Sequence, residues 1–275
     1  MSKPQYLMES DREGQRLKTK SDWQSTERQL IEAGLLRCSG SPVVADVGTG
    51  VGFVAKVMGE LLSKNYDGSE LYYLDQSENR LCEASEFIGA PLGVRKHSVE
   101  CDLAKIPLPD GILDFAFCRF VFEYLADPLV VLREMIRITK PGGKIVVADL
   151  DYNCLTHYPI ASDLERQLLE VMNALSAAKY LDAYVGRKLF SFFRRCGLLE
   201  IRARVEPHHL FYGELNPSDE YNWSEKVKKL IELQDSGAIS LSFSATSFAE
   251  RFMSFLKSEE RFTYTPVVIL EGVKP

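Results

Sequence analysis

PVVADVGTGVG, residues 42–52, begins as a nearly continuous apolar run and closes on glycines at 48, 50 and 52. A short apolar run bounded by turn formers is the pattern of a strand buried on both faces. The glycines allow the backbone to turn sharply out of that strand. From Val51 to Leu62 the apolar positions Phe53, Val54, Val57, Met58, Leu61 and Leu62 recur at three- and four-residue spacing, which predicts a helix with one buried stripe.

The same alternation continues downstream. Glu70–Leu74 reads as a strand, and Ser77 can cap a helix that carries Leu81, Ala84, Phe87 and Ile88 on one face. Gly93–Val99 is a weaker strand and Asp114–Cys118 another. Asp127-Pro128, a cap followed by proline at the first helical position, opens a helix through Leu132, Met135, Ile136 and Ile138, and Lys140-Pro141-Gly142-Gly143 ends it. Lys144–Leu150 is again a solid apolar run. Strands alternating with helices, several of them apolar on both faces, predict an α/β fold: a doubly wound, mostly parallel sheet covered by helices on both sides.

Beyond this core, Leu164–Ala178 and Lys188–Cys196 read as helices and Leu199–Phe211 as a long strand. Phe262–Val273 reads as a last strand whose Pro266 suits an edge. A helical insertion is expected between those two strands, at about 217–256. No composition break marks a second domain. The expectation is one domain over 1–275, with an N-terminal helical extension (1–40), a core (41–152) and a further half (153–275).

Lys and Arg total 33 and Asp and Glu 39, a net charge of −6 that gives no electrostatic reason to gather polyphosphate, so nucleic acid is not an expected partner. The start, MSKPQYLMESDREG, has no apolar signal-like region. The most apolar stretch, FAFCRFVFEYL at 115–125, is interrupted by Arg119 and Glu123, well short of the roughly 20 apolar residues of a bilayer span. Cys38, Cys82, Cys101, Cys118, Cys154 and Cys196 form no CxxC pair, and His97, His157, His208 and His209 form no HExxH. Neither a disulfide framework nor a metal site is expected, and the reducing cytoplasm is the expected location.

Three acids stand beside the glycine turn. A dinucleotide fingerprint wants G-x-G-x-x-G, but here the third glycine is Gly52 and Asp46 precedes the first by two residues. A carboxylate there would repel pyrophosphate and suit a ligand with an ammonium group. Asp75 ends the second strand, where an ionised carboxylate can accept from both hydroxyls of a ribose. Asp102, after the third strand, can accept from an exocyclic amine, with Leu103 as a flat apolar contact. Each acid alone reads first as a solvated loop residue or an N-cap. Together, at the carboxyl ends of successive parallel strands, they describe S-adenosyl-L-methionine better than a nicotinamide dinucleotide.

On these residues the sequence resembles the class I, seven-stranded, Rossmann-like S-adenosylmethionine-dependent methyltransferases. The matching blocks are VADVGTGVG at 44–52, LDQS at 74–77, CDLAKIPLPDGILDFAFC at 101–118 and RFVFEYLADPLVVLREMIRITKPGGKIVVADLDY at 119–152. The last block is most similar to the small-molecule branch that includes the quinone-biosynthesis methyltransferases. The resemblance implies that Asp46, Gly48, Thr49, Gly50 and Gly52 border the methionine part of the cofactor. Asp75 and Gln76 would hold the ribose, Asp102 and Leu103 the adenine, and Arg119 with Phe120 would floor the site near the sulfonium, with S-adenosyl-L-homocysteine as product. In this fold an N-terminal segment often closes over the cofactor; here that segment would bring Arg16 to the methionine carboxylate.

Where many relatives carry histidine after the fourth strand, this chain has Phe120, Phe122, Glu123 and Tyr124, so no general base carries over. Tyr152 and His157, after the fifth strand, are the candidates for the acceptor side. The acceptor is expected to be a small molecule, and the oligomeric state is left open. Two alternatives stand beside this reading: a Rossmann-type NAD(P) dehydrogenase, and a catalytically silent S-adenosylmethionine-binding module that acts through a partner.

Overall fold

A computed structural model describes residues 22–152 and 156–275. The expected N-terminal closure and Arg16 lie outside the described residues. The first described helix, α1 (Trp23–Ala33), is capped by Asp22, whose side chain accepts from the Ser25 N–H. The expected alternation then follows as β1 (Val43–Val47), α2 (Phe53–Asn65), β2 (Ser69–Asp75), α3 (Glu78–Ile88), β3 (Val94–Glu100), β4 (Leu113–Arg119), α4 (Pro128–Ile138) and β5 (Thr139–Leu150). Ser77 caps α3 through the Arg80 N–H, and Asp127 caps α4 ahead of Pro128.

The second half supplies β6 (Thr156–Tyr158), α5 (Ser162–Ala177), α6 (Val185–Arg195), β7 (Leu199–Tyr212), α7 (Pro217–Asp235), α8 (Ala245–Leu256) and β8 (Phe262–Val273). The strands lie in the order β3-β2-β1-β4-β5-β8-β6, with β7 also paired to β8. Strands β1 to β5 pair in parallel, and β8 is antiparallel to β5, β6 and β7. The described sheet has eight strands rather than seven. The extra one, β6, pairs with 262–264 of β8, beyond the 267–273 segment taken by β5, while β7 runs along the other side of β8. Thus β6 extends the β5 side of the sheet rather than adding a full column.

Pro266 departs from its expected edge position, since β8 has neighbours on both sides. Its carbonyl accepts from the Asp151 N–H, so its imide nitrogen faces the short gap between the end of β5 and the start of β6, where no ladder bond needs a donor. Strand β5 also begins earlier than expected, at Thr139. The ladder to β4 steps from Leu113–Thr139 to Phe115–Lys144, absorbing Pro141, Gly142 and Gly143 as an irregularity.

The solid apolar strands explain two cores. In β4, Phe115 and Phe117 join the cluster under α2 and α3, whereas Ala116 and Cys118 join the cluster under α4 and α6. A third cluster forms where the inserted α7 and α8 pack with α5, through Leu164, Leu168, Trp223, Leu230, Phe248 and Phe252. No helix among the described residues is long and apolar enough to cross a membrane.

Candidate active site

The chain turns from β1 into α2 through three left-handed glycines, Gly48 (φ 79°), Gly50 (φ 54°) and Gly52 (φ 81°). Conformation and space both demand glycine: a Cβ on Gly48 would lie 2.5 Å from Val121 Cγ2, and one on Gly52 would lie 2.8 Å from Ala84 Cβ. The N–H groups of Gly48 and Thr49 both donate to the Leu74 carbonyl, at 2.9 and 2.8 Å, tying the turn to the end of β2.

Asp46 holds the turn from below. Its Oδ2 accepts from Thr49 Oγ1 at 2.6 Å and from the Ala55 N–H at 3.0 Å. Burial raises its pKa to about 7, opposed by the hydrogen bonds from Thr49 and Ala55. Asp75 holds the turn from the side: Oδ2 accepts from the Gly50 N–H at 2.9 Å and Oδ1 from the Ser77 N–H at 3.0 Å. Asp102 is exposed, and its Oδ1 accepts from the Ala104 N–H at 2.9 Å, while Leu103 beside it is buried.

Arg119 ends β4 with its guanidinium 4.6 Å from the Phe120 ring centroid. Its Nη1 donates to Thr26 Oγ1 of α1 at 2.5 Å, and its buried Nε meets no hydrogen-bond partner among the described residues. Burial lowers its pKa to about 10, against the pull of Glu206, Asp22 and Asp46. Phe120 has φ 58°, a strained conformation for an aromatic residue, held by its N–H donating to the Ala148 carbonyl at 2.9 Å.

These groups border one cavity of about 490 Å³ at the carboxyl ends of β1 to β4, where an open α/β sheet reverses its strand order. Asp46, Gly48, Thr49, Gly50, Asp75, Gln76, Asp102, Leu103, Arg119 and Phe120 all line it. Gly52 does not; it closes the turn against α3. Tyr152 and His157 are not brought to this cavity. Tyr152 (φ 54°) packs on Tyr184, with the Arg187 guanidinium 5.6 Å from its ring. The Nδ1 of His157 lies 2.9 Å from Thr263 Oγ1, and its ring meets Phe252 and Phe255 edge-on, against the helical cap that α5, α7 and α8 form together.

Sequence reasoning missed Tyr124, Leu125, Val130, Lys179 and Tyr180 as cavity-lining residues. The Asp127-Pro128 cap was a usable signal for the first turn of α4. Lys179 and Tyr180 had none, since they reach the cavity from the turn after α5.

The cavity fits a ligand with an amino-acid end and a nucleoside end. Arg119 offers a buried N–H donor without a partner among the described residues, and Asp75 offers a carboxylate oriented by two backbone donors. Leu103 offers an apolar wall. An open parallel sheet with a glycine turn and strand-end acids around such a cavity fits the expected methyltransferase fold. Residues 45–147 match the family described as the methyltransferase domain. A malonyl-[acyl-carrier protein] O-methyltransferase of Marinomonas sp. (strain MWYL1) is 29% identical over 148 residues, 54% of this chain and 52% of that protein. A demethylmenaquinone methyltransferase of Mycolicibacterium vanbaalenii is 31% identical over 112 residues, 38% of this chain and 47% of that protein. The chain thus spans about half the length of these curated relatives. Among solved structures, a Haemonchus contortus phosphoethanolamine N-methyltransferase 2, in complex with phosphomonomethylethanolamine and S-adenosylhomocysteine, superposes with a TM-score of 0.54. It is 16% identical, covering 92% of this chain and 53% of that one, and this likeness bears on the fold alone.

Proposed function

We propose that the chain is an S-adenosyl-L-methionine-dependent methyltransferase acting on a small-molecule acceptor and releasing S-adenosyl-L-homocysteine. The observation that carries the reading is Asp75, fixed by the Gly50 and Ser77 N–H groups at the edge of a cavity that also contains Arg119. When bound, the cofactor supplies a methyl group on sulfonium, whose carbon passes to the acceptor while sulfur keeps the bonding pair.

Asp75 and Gln76 would hold the ribose, Asp102 and Leu103 the adenine, and Arg119 Nε the methionine carboxylate. Asp46 acts mainly as a turn anchor, since its Oδ2 already receives two donors. Phe120, Val121, Leu125 and Val131 supply an apolar wall that excludes water from the transfer, and Tyr124 and Tyr180 supply phenolic groups on the same cavity. The names of the curated relatives support a small-molecule or carrier-bound acceptor, and no observation favours the dehydrogenase alternative. All the described cysteines are free thiols, which supports a reducing compartment such as the cytoplasm. Calorimetric titration with S-adenosylhomocysteine tests the cofactor assignment: saturable one-to-one binding is expected, and binding of NAD in its place would refute it.

A further inference from the structure

Beneath the cap lies a second group of polar side chains, outside the cofactor cavity. Arg261, the residue before β8, is 1% exposed. Its Nε donates to the Leu256 carbonyl at 2.6 Å, but neither Nη1 nor Nη2 meets a hydrogen-bond partner among the described residues. Asp219 acts on it electrostatically without forming a described ion pair, and the guanidinium lies 5.7 Å from the Phe211 ring centroid. The Nε1 of Trp223, a residue 4% exposed, is a second buried donor without a described partner.

Native interiors seldom leave a buried cation with open donors, because its desolvation is then uncompensated. The two open nitrogens of Arg261 are the end of the guanidinium fork, the geometry that meets both oxygens of a carboxylate at once.

Ring-to-ring contacts join this point to the wall of the cofactor cavity. Phe120, on the cavity wall, lies 5.1 Å from His208, and His208 lies 4.1 Å from His209. His209 in turn lies 5.8 Å from Phe211 and 5.7 Å from Trp223. Consecutive strand residues ordinarily face opposite sides of a sheet. Here the β7–β8 register shifts between His208 and Phe211, and His209 adopts φ 48°. Such a bulge re-aims side chains, and backbone strain of this kind is commonly found beside binding sites.

We propose that Arg261 anchors a carboxylate carried by the methyl acceptor, whose apolar body lies beneath the cap against Phe211 and Trp223. Calling that ligand the acceptor rests on the methyl-transfer reading; the carboxylate site itself does not.

The test uses the full chain in a Trp23→Phe background, which leaves Trp223 as the only tryptophan, with benzoate as the probe and benzamide as its neutral isostere. Benzoate should change Trp223 fluorescence saturably, benzamide should not, and inorganic phosphate should act more weakly than benzoate. Arg261→Met should weaken benzoate binding at least about tenfold, and Arg261→Lys, which keeps charge without the fork, should weaken it less. Because Arg261→Met removes a buried cation, its melting temperature without ligand should not fall. Equal responses to benzoate and benzamide, a stronger response to phosphate, or no response in the parent would overturn the proposal. So would undiminished benzoate binding in both variants, or a Met variant that does not fold. S-adenosylhomocysteine calorimetry on the same proteins should be unchanged; its failure in the parent would sink the cofactor reading and leave the benzoate result to stand or fall alone.

Discussion

The Asp75 carboxylate accepts the Gly50 N–H at 2.9 Å, so the acid at the end of β2 and the glycine turn after β1 form one rigid unit. A ligand that approaches the turn therefore meets a carboxylate whose orientation is set before binding. Replacing Asp75 by Ala removes the turn's anchor and the proposed ribose acceptor together. Charge-assisted hydrogen bonds contribute on the order of 1.5–3 kcal/mol, so S-adenosylhomocysteine affinity should fall roughly 10- to 150-fold. Calorimetry showing parent-like affinity would remove Asp75 from the cofactor site.

Gly48→Ala should be strongly destabilising for two separable reasons. A left-handed φ of 79° costs a non-glycine residue about 1–3 kcal/mol, and the added Cβ would meet Val121 Cγ2 at 2.5 Å. Urea unfolding of Gly48→Ala, Val121→Ala and the double variant should show a favourable coupling that recovers the packing part and leaves the backbone part. Purely additive losses would mean that the Val121 contact is relieved elsewhere.

Asp46 should make stability depend on pH in an unusual direction. Its native pKa of about 7 is raised above the ordinary 3.8, so between those values the native state holds a proton that the unfolded state releases. Its contribution is then greatest below about pH 4, falls as pH rises to about 7 and is flat above, with a total change of at most on the order of 4 kcal/mol. Asp149, buried beside Glu123 and also raised, acts with the same sign, so the informative quantity is the difference between parent and Asp46→Asn. Asparagine can still accept from Thr49 and Ala55 through one oxygen. The variant should gain stability relative to the parent as pH rises from 4 to 7, and parallel stability curves would contradict the buried, protonated Asp46.

His157→Ala separates the cap from the cofactor cavity. The ring does not line that cavity, so S-adenosylhomocysteine affinity should stay within about twofold of the parent. Stability should fall by about 1–3 kcal/mol, because the fully buried Thr263 hydroxyl loses its imidazole partner. If the acceptor lies beneath the cap, turnover should also slow. A large loss of cofactor affinity would show that the two regions are coupled.

The core from β1 to β5 was legible because its strands are buried on both faces, and such strands read as solid apolar runs between caps and turn formers. Val43–Val47 and Phe115–Phe117 are clear cases. Short β6 was not legible: Thr156–Tyr158 is too brief to show a period. Pro266 misled because a proline signals an edge, whereas this one occupies an interior strand opposite a break between two neighbours. The acids at 46, 75 and 102 were legible by spacing from strand ends. Their different tasks were not, because only the fold shows Asp46 turned under the glycine loop and Asp75 turned across it. Arg261 sits in the run Glu259-Glu260-Arg261, which looks like a solvated turn, and its burial depends on the cap packing over it.

The most direct test of the central claim is transfer of label from S-adenosylmethionine, carrying a radioactive methyl group, to small molecules of a cell extract. The parent protein should produce a labelled acceptor and S-adenosylhomocysteine in equal amounts, and Asp75→Ala should lose most of that transfer at limiting cofactor. No labelled product from any extract, together with no binding of S-adenosylhomocysteine, would contradict the assignment.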